Sequence, residues 1–231
     1  KRSGALWGLS IGDALAMPVH WYYNRNALHQ DYGWVTDYLA PRNPHPDSIL
    51  FRSHYTASGP KGEILHDQAP YWGREGTRYH YHQFLEAGEN TLNIKLGSVL
   101  IESLNGCGGY DADDYLGRYI GYMTTPGSHR DTYIEECHRN FFSNYANGIP
   151  PRQCGAVEKH IGGLVGMVSV LAWYAAQPEK ARSAALEHLA LTHPGEKMAG
   201  AGGLVAELLL AVLNGRALKD AILARIEAQD H

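Results

Sequence analysis

Leu92, Leu96, Val99 and Leu100 recur at i, i+4, i+7 and i+8, the spacing of one buried helical face. Ile94, Gly97, Ile101 and Leu104 make a second apolar or small stripe, leaving Lys95, Ser98, Glu102 and Asn105 as polar positions. A helix apolar over most of its circumference belongs inside a bundle, so segment 92–104 is expected at the centre. Similar patterning predicts a small-residue helix over 3–17, where Gly4, Gly8 and Gly12 share a face and let another backbone approach closely. Asp113 is expected to cap a helix to about Met123, and after Pro126-Gly127 a further helix is expected over 128–142. Segment 161–176 is apolar on all sides and reads as a core helix, with Gly162, Gly163 and Gly166 allowing tight contact at its start. Pro178 suits the first turn of a helix ending near Leu191. Leu204 to Leu213 form another buried face, and Leu218, Ile222, Leu223 and Ile226 a last amphipathic one. Roughly eight helices and no convincing strand pair make the fold class all-α.

Between Tyr22 and Ala87 the chain has no sustained period and is rich in Tyr, His, Pro, Gly and Asn. It reads as a loop-rich excursion, 22–87, with one or two short helices, of the kind that is functional or mobile. His66-Asp67 and His80-Tyr81-His82 suggest metal ligands, but histidines scattered through polar loops read first as surface residues.

Composition narrows the partners. The 231 residues suffice for one domain, 1–231, with a real core, and the net charge of −4 is spread without runs. No polybasic face points to nucleic acid or a membrane surface, and the longest apolar run is too short to span a bilayer. Three cysteines without CxxC spacing argue against a disulfide framework or a zinc site, and an intracellular, cytoplasmic setting is expected. The oligomeric state is left open.

Candidate chemistry gathers at two places. Glu89, Asn90 and Thr91 stand at the N-terminus of the central helix, where free N–H groups and the helix dipole favour an anion; they either cap the helix or form a site. Asp13, on an otherwise apolar segment, is either a helix-to-helix tie or a site residue. Further on, Asn147-Gly148 precedes Pro150-Pro151 and Arg152, a turn whose backbone N–H groups and guanidinium suit a phosphate.

Four stretches together resemble a known family. GALWGLSIGDALAMP, beginning at Gly4, is similar to the opening signature of the ADP-ribosylglycohydrolases; FSNYANGIPPR resembles their asparagine-glycine loop; IGGLVG and Leu191-Thr192-His193 follow in the family's order. The spelling AGENTLN resembles the J1-crystallin and selenoprotein J branch. The resemblance implies an orthogonally packed all-α bundle whose cleft binds ADP-ribose and, in active members, two magnesium ions. The reaction implied is hydrolysis of the glycosidic bond at the ribose of an ADP-ribosyl group. Asp13 and Glu89 are implied as catalytic, Glu89, Asn90 and Thr91 as metal ligands, and Asn90, Thr91, Asn147, Gly148, Arg152 and His193 as substrate-binding. Glu89-Asn90 replaces two aspartates of the family pattern, which should weaken Mg²⁺ binding. Ala16 stands where the signature has glycine, and His20 stands near the place of a usual acid. The family's second acidic motif is not found before His231, so a shortened chain is expected. The alternative implied is a catalytically inactive, crystallin-type structural or ADP-ribose-binding protein.

Overall fold

The computed structural model describes residues 1–228; the last three residues of the domain expected over 1–231 lie outside it. Nine α-helices follow in order among the described residues: α1 Arg2–Ala16, α2 Arg25–Tyr32, α3 Leu92–Cys107, α4 Ala112–Thr124, α5 Glu136–Ala146, α6 Leu164–Trp173, α7 Pro178–Ala190, α8 Glu196–Leu213 and α9 Leu218–Glu227. Short 3-10 turns cover Met17–Val19, Leu50–Arg52, Pro60–Gly62, His66–Tyr71 and Pro151–Gln153, and no strand occurs among the described residues. The all-α class follows directly from these elements.

Helix α3 is central, packed against α4, α6 and the C-terminal half of the bundle's core, and α1 lies against both α6 and α3. Leu100 and Leu104 of α3 meet Tyr119, Phe141, Phe142 and Met167 in one buried cluster. Helices α7 and α8 close over α6. That closeness depends on glycine: a Cβ at Gly163 would lie 2.4 Å from His193 Nδ1, and one at Gly166 2.4 Å from His188 Nε2. No helix among the described residues is long and apolar enough to cross a membrane.

Several sequence expectations are corrected. Helix α5 begins at Glu136, not at Ser128, because segment 128–135 has partners that a helix would withdraw. The Tyr133 N–H donates to Tyr81 O, Thr132 Oγ1 to Gln68 Oε1, and Asp131 accepts from distant donors. Helix α6 begins at Leu164, leaving Ile161 exposed on the preceding turn. Asp111, not Asp113, caps α4 by accepting from the N–H groups of Asp113 and Asp114. The face of Gly4, Gly8 and Gly12 approaches no other backbone: a Cβ at any of them would meet nothing within 4 Å.

The excursion 22–87 is packed rather than open. Leu50, Ile64, Leu65 and Tyr81 are buried, and so are His45, His80 and His82. These histidines are not surface residues, because each ring nitrogen that is buried finds a partner. His80 Nε2 donates to Pro18 O (3.0 Å) while its Nδ1 accepts from the His82 N–H, and His45 Nε2 donates to His20 O (2.9 Å) while its Nδ1 accepts from the Asp47 N–H.

Candidate functional site

The excursion, the end of α1 and the start of α3 enclose a cavity of about 910 Å³. Gly8 and Gly12 of α1 form part of its wall, so the glycine stripe makes room for a ligand-sized space instead of a helix contact. Opposite stand Trp21, Tyr81 and Tyr133. Trp21 adopts φ 59°, an uncommon value for a bulky residue, and its ring lies flat on His20 (4.5 Å, 3° between planes) and edge-on to Tyr81 and Tyr133. Such strain persists only where surrounding packing dictates it.

The N-terminus of α3 is already satisfied from within the protein. Asp13 accepts from Thr91 N (2.8 Å), Thr91 Oγ1 (2.7 Å) and Asn90 Nδ2 (3.0 Å), and Asn90 Nδ2 also donates to Ser10 O (2.7 Å). Asp131, fully buried, accepts from the next N–H, that of Leu92, and from His82 Nδ1. Two carboxylates thus cap the positive end of the helix dipole, and α1 and the 128–135 segment are tied to α3 through it. Burial alone would raise the Asp131 pKa, but His82 and the Leu92 N–H hold its carboxyl below the usual range.

Asp13 and His193 line the cavity, Thr91 lines a small adjoining recess, and Asn90 lies behind as a tie. Glu89 points elsewhere: Lys95 Nζ (2.7 Å) and Arg130 Nη2 (2.6 Å) both bind its carboxylate. Burial opposes its ionisation, yet the Lys95 hydrogen bond and the Glu86 N–H hold its pKa down. Asn147 ends α5 and Gly148 follows at φ 84°, but neither borders the cavity. Arg152, also outside the cavity, is engaged by Asp113 (2.7 Å) and Glu187 (3.0 Å) on the surface.

Further residues, most of them not singled out from the sequence, line the cavity. Glu135 lines both the cavity and the recess, with Asn93 Nδ2 donating to it at 3.2 Å. Gly162 leaves the space it occupies, since a Cβ there would lie 2.6 Å from Glu135 Oε2. Burial pushes its carboxyl above the usual range, against the Asn93 hydrogen bond. Arg52 and Arg139 border the cavity, and neither forms an ion pair among the described residues. Burial lowers His193 to about 4, and burial with the neighbouring His82 lowers His20 to about 4. Among these residues the sequence pointed to His193, through Leu191-Thr192-His193, and to His20, standing near the place of a usual acid; Glu135, Arg52 and Arg139 carried no signal.

Fold and cavity together define a helical domain built around a cleft lined by aromatic rings, carboxylates and two arginines without a carboxylate partner among the described residues. The chain belongs to the ADP-ribosylglycohydrolase family, whose model matches residues 1–230. That is a family of hydrolases of ADP-ribosyl linkages. A search of curated proteins finds no match to the chain.

The magnesium that the family implies does not fit residues 89–91 as they stand. Glu89 is neutralised by two cations, the amide of Asn90 and hydroxyl of Thr91 donate to Asp13, and Asp13 is the one carboxylate left beside them. Two other groups bring potential ligand atoms within 4.8 Å, Glu135–Cys137–His138 and Glu136–Glu158–His160. Their sulfur and imidazole donors do not suit magnesium, and burial keeps the Cys137 thiol protonated.

Proposed function

We propose that the cavity takes an ADP-ribosyl group and hydrolyses the glycosidic bond at its ribose, with residues other than the family's metal ligands supplying the chemistry. The observation that carries this reading is the company Glu135 keeps in a space of about 910 Å³, within the range of small-molecule sites. Burial raises the pKa of the Glu135 carboxyl, the direction that suits a general acid, and in this reading Glu135 gives a proton to the leaving group as the bond to the anomeric carbon breaks. Trp21 and Tyr133 offer rings for the base or sugar, and Arg52 and Arg139, without a carboxylate partner among the described residues, offer positive charge for a diphosphate, Arg139 while its Nε and Nη1 donate to the carbonyls of Ile134 and His54. Asp13, Asn90 and Thr91 then position the start of α3, and His193 contributes to the wall. Glu89 and the loop 147–152 stand outside the reacting centre.

A second reading, a J1-crystallin-like protein that binds ADP-ribose without turnover, is favoured by the pairing of Glu89 with Lys95 and Arg130, which leaves no magnesium site at the helix start. The deciding experiment follows ADP-ribose release from N-linked and O-linked ADP-ribosylated peptides in excess EDTA. The hydrolytic reading expects release by the parent chain and a loss of about 10²–10⁴-fold in Glu135→Gln, the usual contribution of a general acid. Binding of ADP-ribose with no release from any linkage would favour the crystallin-like reading, and release unaffected by Glu135→Gln would remove Glu135 from the reaction.

A further inference from the structure

We propose that Asp131, His82 and His20 form a proton relay that keeps one ring nitrogen of the cavity-lining His20, Nε2, unprotonated, where it takes the proton of the attacking water. The base role rests on the hydrolytic reading above; the relay itself rests on hydrogen-bond geometry.

Buried Asp131 accepts from both the Leu92 N–H and His82 Nδ1. An ionised carboxylate only accepts, so His82 Nδ1 carries a hydrogen; the relay assigns His82 no second hydrogen and leaves the lone pair on its Nε2. His20 Nδ1 lies 2.7 Å from that nitrogen, and in the relay it is the donor. In that arrangement His20 Nε2 is unprotonated; it makes no hydrogen bond to any described residue, and His20 lines both the cavity and the recess beside it. Hydrogen bonds and stacking hold the chain of rings in place. Trp21 stacks on His20, His45 holds the His20 carbonyl, and His80 bridges Pro18 O to the His82 N–H. The charged and titratable groups acting on His20 are His82, Asp131 and His45.

The recess, of about 10 Å³, is bordered by His20, His82, Asp131 and Glu135. That is close to the space a single water needs. In the step proposed, a water oxygen bonds to the anomeric carbon as its proton passes to His20 Nε2. The bond from that carbon to the acceptor breaks, and the acceptor atom takes the proton from Glu135. The His20 Nδ1 proton can pass on to His82 Nε2, which places the positive charge beside Asp131. Return of one proton through solvent from the relay to Glu135 restores the starting state. A buried Asp–His pair serving packing alone would not require a third member on the cavity wall.

The test is long-range ¹H–¹⁵N correlation on histidine-labelled full-length protein, alone and with ADP-ribose. The relay requires His20 to be protonated at Nδ1 and bare at Nε2, and the bare nitrogen to shift when ADP-ribose is added. In Asp131→Asn the amide can donate to His82 Nδ1, so both tautomers should invert and His20 should carry its hydrogen on Nε2. Should that buried substitution prevent folding, the parent spectrum decides: a hydrogen on His20 Nε2 overturns the relay. In kinetics on whichever linkage the parent cleaves, His20→Gln should lower kcat by about 10²–10⁴-fold with KM little changed. Parental turnover in His20→Gln overturns the base role. A parent with the expected tautomer that releases no ADP-ribose overturns the hydrolytic reading and the base role with it, while the relay geometry stands.

Discussion

Asp13 shows how one side chain serves structure beside a site. It accepts three hydrogen bonds from Asn90 and Thr91, so Asp13→Ala leaves donors at the start of α3 without a partner. A loss of about 1–3 kcal/mol is expected, read from thermal melts. The histidines give a pH signature. Burial first, with neighbouring histidines adding to it for His80 and His138, lowers His80 and His138 to about 3 and burial lowers His188 to about 4, from 6.5. Between about pH 4 and 6.5 the unfolded chain therefore binds protons at these positions that the folded chain refuses. Stability should rise with pH across that window, by up to about 1.4 kcal/mol per pH unit for each such histidine. Asp131, depressed by His82 once burial is overcome, acts the same way lower down: its contribution is present above the unfolded carboxyl pKa and lost as pH falls through the folded one. Denaturant midpoints between pH 3.5 and 8 check this, and a flat profile from 4 to 6.5 would contradict it.

At the scale of elements, glycines divide into two kinds that a substitution separates. At Gly163 a Cβ would press on His193 and Leu189, so Gly163→Ala should cost about 1–3 kcal/mol. At Gly8 a Cβ meets nothing, so Gly8→Ala should leave α1 as stable or stabilise it by about 0.5–1 kcal/mol, measured by melting. Sequence reading saw glycine in both places but could not tell them apart, because helical spacing reports a shared face and not what lies opposite. Helix α3 was legible because its apolar stripe alone dictates burial. The start of α5 was not, since Asp131 is held by Leu92 and His82, about 40 or more residues away, and no local pattern announces such partners. The histidines failed for the same reason: their carbonyl acceptors, Pro18 and His20, belong to another element.

Across the whole molecule, the motif residues and the cavity only partly coincide. The family signature led to Asp13 and His193, which line the cavity, and to Glu89 and Arg152, which are engaged by charges outside it. Glu135, Arg52 and Arg139 lack any motif, and the fold alone gathers them. Magnesium is expected to bind weakly to the parent. Asn90→Asp would set a carboxylate against Asp13 and the Ser10 carbonyl, lowering stability without metal; recovery on adding Mg²⁺, followed by calorimetry and melting, would show that a cation can bridge the pair. The account's central claim is that ADP-ribose is taken by the aromatic cavity. Titration of ADP-ribose into the parent, Trp21→Ala and Arg152→Ala tests it most directly. Loss of the stacking ring should cost about 1–3 kcal/mol, roughly one to two decades in affinity, while Arg152→Ala should bind as the parent does. Binding lost in Arg152→Ala and kept in Trp21→Ala would contradict the account.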